Sequence, residues 1–233
     1  MTRDIHSHIL PGIDDGAADV SASLKLIRGL MELGVTESVA TPHVISDLYR
    51  NTPDSIAKAL ESLHRALEQE QLDFKVTAAA EYMLDGSFFE LLKRPERLLT
   101  VQDDLLLTEF SFGYQPDNIS EISFTIITNG YRPILAHPER YVFFQDDYRV
   151  FHKLKELGFL LQVNLLSLTG YYGLQVKKAA KYIIRNGLHS FLATDLHHER
   201  HLTALMEPGN RKIFSDLLRG RRSDNFEPSV ARY

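Results

Sequence analysis

Cysteine is absent from all 233 residues. Its absence excludes disulfides, thiolate metal sites and any hydrolysis begun by a cysteine nucleophile. Cationic residues are in the minority, 26 Lys and Arg against 31 Asp and Glu. The net charge of -5, with no basic tract, argues against a general affinity for nucleic acid phosphates or anionic membranes. Long apolar runs are missing too: none approaches the roughly 20 residues a membrane helix requires. The first residues also lack the charged-then-apolar pattern of a secretory signal. The expectation is a cytoplasmic protein without membrane insertion.

What is present is enough apolar material, 44% of the chain, to bury a sizeable core. Short apolar runs alternate with amphipathic ones. Strands are predicted from Asp4 onward and over residues 36–41, 74–80, 104–108, 132–136, 159–164 and 190–194. Helices are predicted over residues 19–33, 52–71, 87–92, 117–129, 148–157, 174–186 and 211–218. Alternation of this kind, with short connections and no shift in composition, predicts one α/β domain with parallel strands over residues 1–220, followed by a polar tail, 221–233. A closed or nearly closed barrel and an open doubly wound sheet compete. A barrel with its site at the carboxyl face is favoured, because nearly every predicted strand ends in a residue able to bind metal.

Those residues begin in the segment Asp4-Ile5-His6-Ser7-His8, followed by Asp14-Asp15-Gly16. On a strand, side chains two apart share a face, so His6 and His8 can grip one ion. Two surface histidines on an edge strand are the alternative. Further along, strand ends supply His43, Glu81, Glu109, His137, Asp195 and His197. With His6, His8 and Asp15 the set holds five imidazoles and four carboxylates, more donors than one ion accepts, so two or three ions are the economical reading. Nitrogen and oxygen donors without sulfur suit Mn, Fe or Zn better than Ca or Mg. Asp14 is expected to serve the turn while Asp15 reaches the metal. His64, His152 and His189 read as solvated or structural, and His198 and His201 as neighbours of the site without strand-end geometry. Arg140, three residues beyond His137, would be repelled by metal ions unless an anion lay between, which points to a phosphate oxygen. The competing reading pairs it with Glu139, Asp146 or Asp147. Phe143-Phe144 and Tyr171-Tyr172 are candidate aromatic walls, although packing is the commoner use of such residues.

With these residues in view, the chain resembles the PHP superfamily, named for polymerase and histidinol phosphatase. It is most similar to the bacterial manganese-dependent protein-tyrosine phosphatases of capsule and exopolysaccharide systems. The matching segments are Asp4 to His8 with Asp14 to Gly16, Ala40-Thr41-Pro42-His43, Glu81, Glu109, Ala136-His137-Pro138-Glu139-Arg140-Tyr141, Leu168-Thr169-Gly170 with Gly173, and Thr194-Asp195-Leu196-His197.

The resemblance implies a distorted seven-stranded (β/α)7 TIM-like barrel, the PHP fold, with two or three divalent metals, Mn foremost. It implies metal ligation by His6, His8, Asp15, His43, Glu81, Glu109, His137, Asp195 and His197, with Arg140 facing the phosphate. The implied activity is hydrolysis of protein phosphotyrosine by metal-bound hydroxide, with His43 or His197 as a possible acid. The implied partner is an autophosphorylating tyrosine kinase of polysaccharide biosynthesis, although no tyrosine-rich cluster of the kind its tail would carry occurs in this chain. Two alternatives stay open: a small-molecule phosphatase, such as one acting on histidinol phosphate, and a non-catalytic metal-bound regulatory module.

Overall fold

A computed structural model describes residues 3–220; the predicted polar tail, 221–233, lies outside the described residues. The chain opens with β1 (Arg3–Ser7) and α1 (Val20–Glu32), then β2 (Glu37–Ala40), β3 (His43–Val44), α2 (Pro53–Gln69), β4 (Lys75–Ala78), β5 (Glu81–Met83) and α3 (Gly86–Leu92). There follow β6 (Leu105–Glu109), α4 (Ile119–Thr128), β7 (Arg132–Ala136), α5 (Arg149–Glu156), β8 (Leu160–Asn164), α6 (Leu174–Arg185), β9 (His189–Ala193), α7 (Glu199–Met206) and α8 (Pro208–Gly220). Local chemistry explains several starts. The Asp19 carboxylate accepts from Ala22 N–H at the head of α1, and Thr52 and Ser55 form a reciprocal capping box ahead of α2 with Pro53 at its first position.

The strands make a parallel α/β arrangement, in two sheets ordered β1-β2-β4 and β3-β5-β6-β7-β8-β9. The expected single set of seven strands is therefore more broken than the sequence suggests. The stretch 36–41 is interrupted at Thr41-Pro42, since proline brings no N–H to a ladder, and strand resumes at His43. Its neighbour breaks in step at Ala79-Ala80. Hydrogen bonds nevertheless bridge the gap, from Ala79 N–H to Ala40 C=O at 2.8 Å and from Glu81 N–H to Pro42 C=O at 3.0 Å. At the far side, Ser7 forms a parallel bridge with Leu196, Asp195 N–H donates to His6 C=O at 2.9 Å, and His8 N–H donates to Leu196 C=O at 2.9 Å.

The central strands β6, β7 and β8 are buried on both faces. Along β6, Leu105 and Leu107 join a small apolar cluster with Val39, Ile134 and Ala136, whereas Leu106 and Leu135 face the large cluster built with the helices. That is why these strands read as continuous apolar runs. Helix α7 is an element the sequence reading left out, and the last helix is longer than predicted. Among the described residues no helix is long and apolar enough to cross a membrane.

Candidate metal centre

The parallel strands carry the candidate donors to one end of the sheets. His6 lies on β1 and His8 just beyond it, His43 opens β3, Glu81 opens β5, Glu109 closes β6, His137 follows β7, and Asp195 follows β9. His137 and Asp195 have left-handed backbones, at φ 36° and 51°, an uncommon conformation for residues other than glycine. The Asp14-Asp15 turn is pressed against the strand by Gly16, where an added Cβ would stand 2.0 Å from His8 O. No side chain fits there.

Buried amides and carboxylates fix the imidazoles. The Asp195 carboxylate only accepts, so the contact of 2.6 Å from Asn164 Nδ2 orients the Asn164 amide. Asn164 Oδ1 then accepts from Gln162 Nε2 at 2.8 Å, which leaves Gln162 Oε1 to accept from His6 Nδ1–H at 2.9 Å. The same logic makes His8 Nδ1–H donate to Asp14 Oδ2 at 2.8 Å. Both histidines therefore turn Nε2 into the cluster. Despite burial, Glu81 and Asp195 raise His6, and Asp14, Asp195 and Glu81 raise His8 well above the usual imidazole value, so a positive charge, a proton or a metal ion, belongs at that place. The two Nε2 atoms lie 3.2 Å apart. Around them stand Glu81 Oε2, at 3.3 and 3.4 Å, and Asp195 Oδ1, at 3.3 and 3.5 Å.

The other donors close in on the same core. Glu81 Oε1 lies 3.1 Å from His137 Nε2, and His43 Nδ1 lies 2.9 Å from Glu109 Oε1 and 3.1 Å from Glu81 Oε2. Asp15, half exposed, is 3.5 Å from His43 Nε2 and 3.6 Å from His197 Nε2. Four overlapping donor sets result: His8, Asp15, His43 and His197; His6, His8 and Glu81; His6, His137 and Asp195; His43, Glu81 and Glu109. All nine residues singled out in the sequence thus lie in one cluster.

A cation fits this arrangement better than hydrogen bonding does. Glu81 Oε2, Glu109 Oε1, Asp195 Oδ1 and His43 Nδ1 are buried without a hydrogen bond of acceptable geometry. Their short distances are contacts of charge, with no hydrogen on the line between them. Protonation follows the same tension. Burial alone would push His43 down, but Glu81 and Glu109 carry it up to about 10. His197 is pushed down to about 3 by burial and by His8. Despite burial, Glu81 and Asp195 stay well below the usual carboxylate range, held there first by His6. Glu109 moves the other way, raised by burial and by Glu81. Nitrogen and oxygen donors of this number suit divalent ions of the Mn, Fe and Zn type.

Arg140 is not held by the local carboxylates offered as the alternative to phosphate. Its Nη1 donates to Asp195 Oδ2 at 2.8 Å, so the anion beside it is a carboxylate of the cluster itself, and Glu139, Asp146 and Asp147 are not its partners. The guanidinium lies 4.4 Å from the centre of the Tyr172 ring and 5.0 Å from that of Phe112. Gly170 and Gly173, at φ 97° and 99°, bracket the loop that sets Tyr172 there. A pocket of about 270 Å3 opens over these groups, lined by Arg140 and Phe112 together with Asp15, His43, Glu109, His137, Asp195, His197, His198 and His201.

Gln162, Asn164 and Phe112 are absent from the sequence reading of the site. The first two carried a signal, being amides on an otherwise apolar buried strand. Phe112 carried none, because it sits in a loop. Of the proposed aromatic walls, Tyr172 reaches Arg140, whereas Phe144 is packed in the core. Asp14 does serve the turn, accepting from Gly16 N–H at 2.9 Å, and it also anchors His8. His64 and His152 are structural in the expected way, facing Val76 C=O and Tyr182 OH at 2.9 and 3.1 Å.

Comparison with known proteins agrees with this geometry. The family described as "Capsular polysaccharide synthesis, CpsB/CapC" matches residues 2–217. The tyrosine-protein phosphatase YwqE of Bacillus subtilis is 30% identical over 195 residues, 84% of this chain and 77% of that protein. The tyrosine-protein phosphatase CpsB of Streptococcus pneumoniae is 28% identical over 203 residues, 84% of this chain and 82% of its own length. A solved structure from work on these two metal-dependent tyrosine phosphatases matches with a TM-score of 0.79 and 29% identity, covering 93% of this chain and 94% of the other.

Proposed function

Because the chain belongs to the CpsB/CapC family of capsular polysaccharide synthesis, we propose that it is a metal-dependent phosphatase acting on protein phosphotyrosine. The observation that carries the proposal is that the Nε2 atoms of His6 and His8 meet at 3.2 Å with carboxylate oxygens of Glu81 and Asp195 at 3.3 to 3.5 Å from them. A proton can relieve the two nitrogens, but a divalent ion neutralises both carboxylates as well. Names of relatives support the same reading, since YwqE and CpsB are tyrosine-protein phosphatases. The finer reading assigns two or three ions, Mn first, to His6, His8, Asp15, His43, Glu81, Glu109, His137, Asp195 and His197. Bound there, such ions supply a water of lowered pKa and neutralise charge on phosphoryl oxygens.

The chain's own groups do the rest. One of Arg140's five N–H donors is committed to Asp195, leaving others for a phosphoryl oxygen. Phe112 and Tyr172 fix the plane of the guanidinium, which lowers the cost of ordering it when substrate arrives. A phenolate leaving group, with a pKa of about 10, needs less help from an acid than an alkoxide. His43, on the pocket wall and raised despite burial by Glu81 and Glu109, is the better placed to pass it a proton, from a nitrogen not engaged with metal, whereas His197 is pushed down to about 3 and its Nδ1 faces Asp195 C=O. An aryl ester is therefore the easier substrate. Phe112, 47% exposed at the rim, offers an apolar face at the pocket mouth to an arriving phenyl ring, which favours phosphotyrosine over a phosphate ester without an aryl group.

The two sheets are taken as one interrupted seven-membered ring, a distorted barrel over residues 1–220, because hydrogen bonds cross both gaps between them. The partner is taken to be an autophosphorylating tyrosine kinase met in the cytoplasm. The test compares turnover of a phosphotyrosyl peptide with that of histidinol phosphate by fully metallated protein. Faster peptide hydrolysis is expected. Faster histidinol phosphate hydrolysis would overturn the substrate, and no hydrolysis of either would favour the regulatory module.

A further inference from the structure

Beside the metal pocket lies a second cavity of about 450 Å3. Phe112 and Arg140 line both cavities, so the two meet at these side chains. Their chemistry differs sharply. The pocket is walled by imidazoles and carboxylates, whereas the groove has no charged side chain on its wall except Arg140. Its uncharged polar side chains are those of Gln145, Gln175 and Tyr172, and its apolar ones include Val142, Leu174 and Val176. Val142 is 70% exposed and Leu174 65%. Single apolar residues at a surface are ordinary, but here Phe112, Val142 and Leu174 gather along one concavity that runs into the candidate catalytic pocket.

We propose that this groove receives the peptide flanking the phosphotyrosine and selects an uncharged, apolar side chain close to it in sequence. The proposal rests on the phosphotyrosine reading of the pocket. With the phosphoryl group at Arg140, the main chain on either side of the tyrosine must leave across the rim. Toward Asp15, His43 and His198 the rim is polar. Toward Val142 and Leu174 it is apolar, and there an aliphatic side chain can exchange water for contact. Extended chain advances about 3.3 Å per residue, so a side chain within two or three positions of the tyrosine falls in range of the groove. An acidic side chain at that place would be drawn to Arg140, the one cation on the wall, and would compete with the phosphoryl group for it.

The experiment measures kcat/KM of the metal-loaded protein on phosphotyrosyl peptides carrying Leu, Ser or Asp at each position from three before to three after the tyrosine. p-Nitrophenyl phosphate, which has no flanks, is the reference. At one or more positions Leu is expected to exceed Ser by about tenfold, chiefly through KM, with Asp below Ser. In the double variant Val142→Asp, Leu174→Asp the Leu preference is expected to collapse toward unity. Equal kcat/KM for Leu, Ser and Asp peptides in the unmodified protein, with p-nitrophenyl phosphate still hydrolysed, would overturn the groove's role alone. Failure to hydrolyse any of these esters would overturn the phosphatase reading and the groove with it. The peptide series needs no variant to fold.

Discussion

His6 Nε2 and His8 Nε2 face each other at 3.2 Å because their Nδ1–H groups are already committed, to Gln162 Oε1 and to Asp14 Oδ2. Neither contact touches a substrate. Both set which nitrogen turns into the cluster. Replacing Gln162 by Leu keeps the bulk and removes the acceptor, so the His6 ring loses its fixed tautomer. Metal affinity is expected to fall about 10- to 100-fold, read by competition against a chromogenic chelator. Unchanged affinity would show that packing alone orients His6.

Arg140 is bonded to Asp195 and stacked between Phe112 and Tyr172. Arg140→Ala is expected to cut kcat/KM on a phosphotyrosyl peptide by about 100- to 1,000-fold, the loss typical of one donor to a developing charge. Arg140→Lys should recover little, since an ammonium cannot stack in the same plane. Steady-state kinetics with metal analysis of each variant checks both points. Metal loss in parallel with activity would instead make Arg140 a support for Asp195.

The convergence of the nine donors was legible in the sequence because strands alternating with helices run parallel, which places every strand end on one side. Glu81, Glu109, His137 and Asp195 repeat that position. Less legible was whatever depends on the neighbour across the sheet. The competing reading of Arg140 pairs it locally with Glu139, Asp146 or Asp147, yet it reaches Asp195, 55 residues away. Gln162 and Asn164 act through His6 and Asp195, relations that no spacing encodes. The break at Pro42 could be anticipated, but the matching break at Ala79-Ala80 comes from its partner strand. Helix α7 was hidden because its cap is His198, whose side chain accepts from His201 N–H, in place of the usual Ser, Thr, Asp or Asn.

Asp15 lies 3.5 and 3.6 Å from His43 and His197, sharing a donor set with them and His8, and is half exposed, while Glu81 and Asp195 are buried beside His6 and His8. Asp15→Ala should therefore lose about one equivalent of metal and leave the ion at His6 and His8 bound. Elemental analysis after gel filtration distinguishes this from loss of all metal together, which would mean the centre assembles as one unit.

Asp85 caps α3, accepting from Ser87 and Phe88 N–H at 2.8 and 3.0 Å. Burial would raise this carboxyl, but those bonds and Ser46 hold it below its usual value. A depressed folded pKa stabilises the fold above the unfolded pKa, and that contribution is lost as pH falls through the folded one. Asp85→Ala is expected to cost about 1 kcal/mol at neutral pH. The difference from the unmodified protein should shrink below a pH of about 4. Urea unfolding at a series of pH values checks it, and an undiminished difference in acid would contradict it.

If the cluster around His6 and His8 works by holding metal for phosphotyrosine hydrolysis, protein stripped with a chelator, its loss of metal confirmed by elemental analysis, should not turn over a phosphotyrosyl peptide. As Mn is titrated back, turnover should recover and level off at two or three equivalents. Full turnover by protein shown to be free of metal would mean that these residues act without an ion.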